Sequence, residues 1–275
     1  MSFYLTLPSN SSMTFHPDNT LTHYFTQLPK TIDVTGDWEV GLAEIQYPHS
    51  WYNIMEPASI VITVPELSNF IDDLSQLTCS EGYNRACEIS KENGLPMPSH
   101  ITIQPGYYTA KGLIQSINGG LQAASLHYRV HFVLKRAQHK ITIQFKTSDM
   151  VVQMSDIISE LLGLEGTTFR ETTTSTQVVD INHGFCGLYV YCSVVEPQMV
   201  GDTSSPLLRV VPIKHEQMGR IVTQTYEKIF YYPLATKHFT SVEVDIREDT
   251  GVPVPFQRGK VVVTLHFRKV RKSLF

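Results

Sequence analysis

Ser241-Val242-Glu243-Val244-Asp245-Ile246-Arg247 and, beyond the turn-rich segment Glu248 to Pro255, Val261-Val262-Val263-Thr264-Leu265-His266-Phe267-Arg268 form the stretch whose reading decides this fold. Val242, Val244 and Ile246 point one way, and Ser241, Glu243, Asp245 and Arg247 the other. In the second run Val261, Val263, Leu265 and Phe267 build an apolar face opposed by Val262, Thr264, His266 and Arg268. A period of two marks strands with one face on a core. Only Lys269 to Phe275 follow, so the chain reads as a β-architecture that closes with a strand.

Working outward, further strands are expected at Phe3 to Leu7, Leu21 to Leu28, Trp38 to Tyr47 and Ser59 to Val64, separated by Pro, Gly, Asn and Asp. Later ones fall at Phe185 to Val195, Leu207 to Ile213 and Ile221 to Tyr231. That gives about four strands before a central module and five after it, the spacing of a sandwich or barrel. In the third strand Trp38, Val40 and Leu42 share a face with Glu44, while Ala43, Ile45 and Tyr47 lie opposite. The apolar side switches midway, which predicts a bulge near Ala43.

The centre has a different grammar. Residues 67–97 are rich in Ser, Asn, Asp and Glu and read as a long connector. Ile101 to Gln104 is a short strand, and Leu113, Ile114, Ile117 and Leu121 fall at helical spacing within Thr109 to Ala124. Tyr128 to Leu134 and Ile141 to Phe145 alternate across a polar turn, as in a hairpin. A second helix is expected from Ser155 as its cap to Gly163 as its left-handed stop. Residues 98–166 thus form an expected α+β insertion domain, and 167–184, including Glu171-Thr172-Thr173-Thr174-Ser175-Thr176, an exposed connector. The β domain would then comprise 1–66 and 185–275.

Composition excludes several classes. A chain of 275 residues with 42% hydrophobic and 17% charged content can bury a core without disulfides. A net charge of −4 supplies no global basic field for nucleic acid. The N-terminal segment lacks a secretory pattern and no apolar run is long enough to span a bilayer, so a soluble intracellular protein with no membrane span and reduced cysteines is expected. Cys186 and Cys192 read as core thiols on one strand face, Cys79 and Cys87 as loop residues able to approach each other, and Asn10-Ser11-Ser12 as a turn.

Enzyme motifs are missing. No His-x-His pair occurs, and His127 and His131 flank Tyr128 on a strand, without the glutamate of a helical zinc motif. Glu243 and Asp245 share a strand face with Arg247 and read as a solvated row rather than an acid–base pair. No Gly-x-Ser-x-Gly or phosphate-cradling loop is present. No catalytic, cofactor-binding or metal-ligating residue is therefore assigned, and a non-enzyme is expected. Two features remain: a basic tail of Arg268, Lys269, Arg271 and Lys272, and the aromatic clusters Trp51-Tyr52 and Phe230-Tyr231-Tyr232. The first can meet phosphates and the second can anchor an interface, although solvation and half-buried packing are the ordinary uses of each.

Specific blocks carry a resemblance: Phe3-Tyr4-Leu5-Thr6-Leu7-Pro8-Ser9-Asn10, Trp38-Glu39-Val40-Gly41-Leu42-Ala43-Glu44-Ile45 with Tyr47-Pro48, Val200-Gly201-Asp202, Leu207-Leu208-Arg209-Val210-Val211-Pro212, Pro255-Phe256 and Gly259-Lys260-Val261-Val262-Val263-Thr264-Leu265. In this order they resemble the minor capsid, or penton, protein of Polinton (Maverick) elements and related adintovirus-like viruses. The resemblance implies a single jelly roll, a two-sheet antiparallel sandwich, with the insertion after its fourth strand and placed on the outward side. It also implies a structural virion protein without cofactors, forming homopentamers at the five-fold vertices beside a double-jelly-roll major capsid protein. The tail would then face packaged DNA. The other reading is a cellular jelly-roll module that binds carbohydrate or protein.

Overall fold

The computed structural model describes residues 1–63, 67, 79–148, 150–182, 185–213 and 218–270. Three strands open the chain: β1 (Ser2–Pro8), β2 (His23–Asp33) and β3 (Trp38–Pro48). The middle holds β4 (Ala58–Thr63), α1 (Cys79–Asn93), β5 (Ser99–Ile103), α2 (Ala110–Ala123), β6 (Val130–Lys135), β7 (Lys140–Phe145), β8 (Val151–Met154), α3 (Asp156–Leu161), β9 (Thr168–Phe169) and β10 (Thr173–Thr174). The remainder is strand: β11 (Gly187–Cys192), β12 (Gln198–Val200), β13 (Thr203–Ser205), β14 (Leu207–Pro212), β15 (Ile221–Thr225), β16 (Tyr232–Pro233), β17 (His238–Arg247) and β18 (Val262–Lys269). The chain divides into two compact units, Met1–Trp51 with Phe185–Phe275, and Tyr52–Gly184.

The first unit is a sandwich of two antiparallel sheets, ordered β1-β18-β3-β15 and β14-β11-β17-β2, with β16 also pairing β3. Pairing is nested. β1 pairs β18, β2 pairs β17, β3 pairs β15 and β11 pairs β14, so a long hairpin of eight strands is wrapped once around a core. That wrapping is the topology of a jelly roll. The two deciding runs, β17 and β18, lie in opposite sheets, and segment 248–255 carries the chain across between them. Their inward residues Val242, Val244, Ile246, Val263, Leu265 and Phe267 have no solvent exposure. The bulge falls at Ala43: Thr264 faces Glu44 and Leu265 faces Leu42, so Ala43 is the extra residue. It lets Leu42 and Ile45 both point inward while Glu44 turns outward to accept from Thr225 Oγ1 at 3.0 Å.

The second unit has its own core. One sheet runs β5-β4-β8-β9 and another β10-β7-β6. Leu113, Ile114, Ile117 and Leu121 of α2 are buried with Ile60, Phe132 and Ile143. Thr109 caps α2 by accepting from Gly112 N at 3.0 Å. The Asn118 side chain bonds both backbone groups of Phe132, at 2.8 and 3.0 Å, along the edge strand β6. The Asn53 amide donates to Tyr108 O at 2.7 Å and Ile181 O at 2.9 Å, tying together the two ends of this unit.

Several expectations are corrected. The strand expected at Ser59 to Val64 as jelly-roll material pairs with β5 and β8 instead, so three jelly-roll strands precede the insertion and five follow it. An apolar run of that length specifies a buried strand but not its sheet. The compact unit accordingly covers residues 52–184, wider than 98–166. Within the expected connector 67–97, residues 79–93 are the helix α1, whose thin stripe of Ala86 and Ile89 is easily missed among polar residues. Cys79 and Cys87 are eight residues apart on it, about 12 Å along its axis, too far to bridge. The Thr-rich run is partly strand, β10, and Ser175 is buried with its hydroxyl accepting from Ile141 N at 3.1 Å. Ser155 occupies the cap position of α3 without a side-chain capping bond. Cys192 is buried, whereas Cys186 precedes β11 and is exposed.

Candidate assembly surface

The outer face of the β1-β18-β3 layer brings together three of the residues singled out from sequence, Phe230, Tyr231 and Arg268. In register, Tyr4 faces His266 and His266 faces Gly41, while Ser2 faces Arg268 and Arg268 faces Glu39. Tyr4 and His266 stack with ring centroids 4.4 Å apart. The Tyr231 hydroxyl lies 2.6 Å from His266 Nδ1, in hydrogen-bond reach of the imidazole. Segment 229–231 crosses directly over Gly41, where a Cβ would sit 2.3 Å from the Phe230 carbonyl oxygen. Glycine is required there for that close approach.

Two arginines clamp this segment. Arg268 lies 3.5 Å from the centroid of Tyr231 and donates through Nε to Glu39 at 2.9 Å. Arg209, from β14, lies 3.5 Å from the centroid of Tyr226 and 4.4 Å from that of Phe230. Guanidinium planes stack on rings in a way that lysine cannot reproduce. Burial, and then the charge of Arg268, lower the His266 pKa from 6.5, which favours the neutral ring.

The sequence-predicted residues separate accordingly. Phe230, Tyr231 and Arg268 meet at the clamp, Phe230 remaining 48% exposed, while Tyr232 pairs with Val40 at its margin. Arg268 is engaged by Glu39 and Tyr231, which makes it a structural cation of the sheet. Arg271 and Lys272 lie outside the described residues. Trp51 is a core residue, 4% exposed, packed on Phe185 with centroids 5.4 Å apart and on Phe256 at 5.9 Å. Tyr52, half-buried, starts the second unit. The sequence reading missed Arg209, whose position directly after the buried Leu208 gave no sign that its partners lay beyond the next strand.

Three further surface features stand out on the jelly roll. A groove of about 590 Å³ opens between β1 and β2, with Phe3, Leu28, Ile32 and Trp38 on its walls and Lys30 and Lys269 at its rim. The hairpin β12–β13 projects Met199 almost entirely into solvent, at 93% exposure. A smaller hollow of about 400 Å³ contains the row Glu243, Asp245 and Arg247. There His23 Nε2 lies 2.8 Å from Glu243, and Arg247 Nε donates to Asp245 at 2.7 Å, so each carboxylate already has a partner. Burial pushes the neighbouring Cys192 thiol up to about 12, which leaves it a protonated, poor nucleophile. Among the described residues no group of three His, Cys, Asp or Glu is placed to hold a metal, and no helix is long and apolar enough to cross a membrane.

Nested eight-strand pairing and an α+β insertion between the third and fourth strands thus define the class: a single jelly roll with an inserted unit. No protein-family model and no curated protein sequence match the chain. Among solved structures it is similar to the mavirus penton protein, with a TM-score of 0.52 and 10% identity over 98% of this chain and 100% of that one. At that identity the likeness is one of fold.

Proposed function

We propose that this chain is a structural capsid subunit, a penton that closes into homopentamers at the five-fold vertices of an icosahedral shell encoded by a Polinton-like element. The observation that carries this reading is the likeness to a penton across the whole chain, insertion included, rather than over the jelly roll alone. The blocks resembling Polinton minor capsid proteins lie mainly on jelly-roll strands, including β1, β3, β14 and β18. Such a protein works by geometry: one heterologous contact, repeated by rotation, closes a ring, and many modest contacts hold the shell. The partners are further copies of the chain and a double-jelly-roll major capsid protein. The role is structural, without catalysis or a cofactor, and its place is the virion.

Light scattering across a concentration series tests this. The expected mass is five times the 31.1 kDa of one chain, with ring-shaped particles in negative stain. A monomer at every concentration, unchanged by adding the major capsid protein, refutes the reading. Titrating the same preparation with mixed-sequence duplex DNA tests the tail: binding that weakens steeply with salt and disappears when 269–275 are deleted is expected.

A further inference from the structure

The groove and the exposed hairpin occupy opposite edges of one sandwich. β2 is one edge of its sheet and β14 the other, and the hairpin β12–β13 leads directly into β14. β11 and β2 both run antiparallel to β17, so they run the same way. The hairpin after β11 and the groove beside the final residues of β2 therefore lie at the same end of the jelly roll, on opposite flanks. This is the arrangement a head-to-tail contact needs, with a projection on one flank and a receptacle on the other.

The chemistry matches. Residues 196–205 carry Glu196 and Asp202 and no Lys or Arg, with Gly201-Asp202 as the turn and Met199 two residues before it. The groove has apolar walls and a lysine rim, its own Asp33 being 3.6 Å from His238. Methionine is flexible and polarizable, and it fills irregular apolar gaps beside aromatic rings such as Phe3 and Trp38. We infer that the β12–β13 hairpin of one copy seats in the β1–β2 groove of the next, Met199 entering the apolar floor and Asp202 meeting the Lys30 and Lys269 rim. This deepens the penton reading and rests on it.

The test places a photoreactive benzophenone amino acid at position 199 in the full chain. On illumination a product of two chains is expected, with its cross-link mapped by mass spectrometry to peptides containing residues 3–5 or 28–38. Met199→Asp is expected to raise the concentration for half-assembly at least about tenfold, while Met199→Leu leaves it near the wild-type value. Lys30→Glu is expected to weaken assembly and Asp202→Lys to restore part of it in the double variant. Wild-type rings whose cross-link falls elsewhere, or within one chain, overturn this contact and leave the penton reading standing. A wild-type chain that stays monomeric at every concentration, with the major capsid protein added, overturns both.

Discussion

The jelly roll and its insertion divide one chain by opposite routes. The insertion is a single continuous segment, in which a helix cap and an Asn-to-backbone clip act between residues close in sequence and the Asn53 amide ties the two ends of the segment together. The jelly roll is assembled from two separate segments, and its outermost pair, Ser2 against Arg268, joins residues from opposite ends of the chain. Both units bury apolar side chains completely, so burial does not distinguish them. Sequence distance does: ordering remote strands costs more loop entropy before contacts repay it.

Probes that see one unit at a time can break or sharpen this contrast. Both tryptophans, Trp38 and Trp51, belong to the jelly roll, and the described helices all belong to the insertion. Tryptophan fluorescence and the helical circular-dichroism signal thus report separate units during denaturant unfolding. The largest effect is expected from Phe267→Ala, which empties a site between Phe3 and Phe239, with ring centroids at 4.8 and 5.9 Å. It should cost the fluorescence transition about 3–5 kcal/mol and leave the helical transition in place, and Phe132→Ala should do the reverse. Coincident loss of both signals in either variant would mean that the units unfold as one.

A smaller effect is expected at the edge strand β6, where the Asn118 amide replaces the missing neighbour strand. Asn118→Ala should lower the helical transition by about 1–3 kcal/mol without moving fluorescence, and an unchanged transition would show that water serves Phe132 equally well. The smallest effect concerns pH. The folded His266 pKa lies below its ordinary 6.5, so the unfolded chain takes up the proton first. Its contribution is complete above pH 6.5 and is lost as pH falls from there through the lowered folded value. The fluorescence transition should therefore weaken modestly from pH 7 to 5, and His266→Gln should flatten that slope. Beside the imidazole stand Tyr4, Tyr231 and Arg268, the last held by Glu39.

Strand identity was legible in the sequence wherever a face alternated, because a period of two fixes which side chains go inward. The bulge at Ala43 was legible for the same reason: a switch of apolar face has few other causes. Sheet membership was not. β4 is apolar on both faces, Ile60, Val61 and Ile62 all being buried, and carries no mark of which partner it takes. Nor could side-chain order along the chain separate Trp51, sealed among rings, from Phe230, left half-exposed over an arginine. Both are aromatics beside turns, and only the path of segment 229–231 across Gly41 makes them different.

The nested pairing also dictates an order of events during synthesis. Ribosomes deliver the insertion whole, with all of its own partners, while β17 and β18 are still untranslated. The first two strands must meanwhile wait for mates more than 200 residues downstream, roughly 10–50 s at about 5–20 residues per second. Until then β1 and β2 are bare edges with apolar faces, the kind of surface that chaperones hold. A nascent chain stalled once residue 184 has left the ribosome, with β17 still unmade, should therefore carry a finished insertion and an open jelly roll.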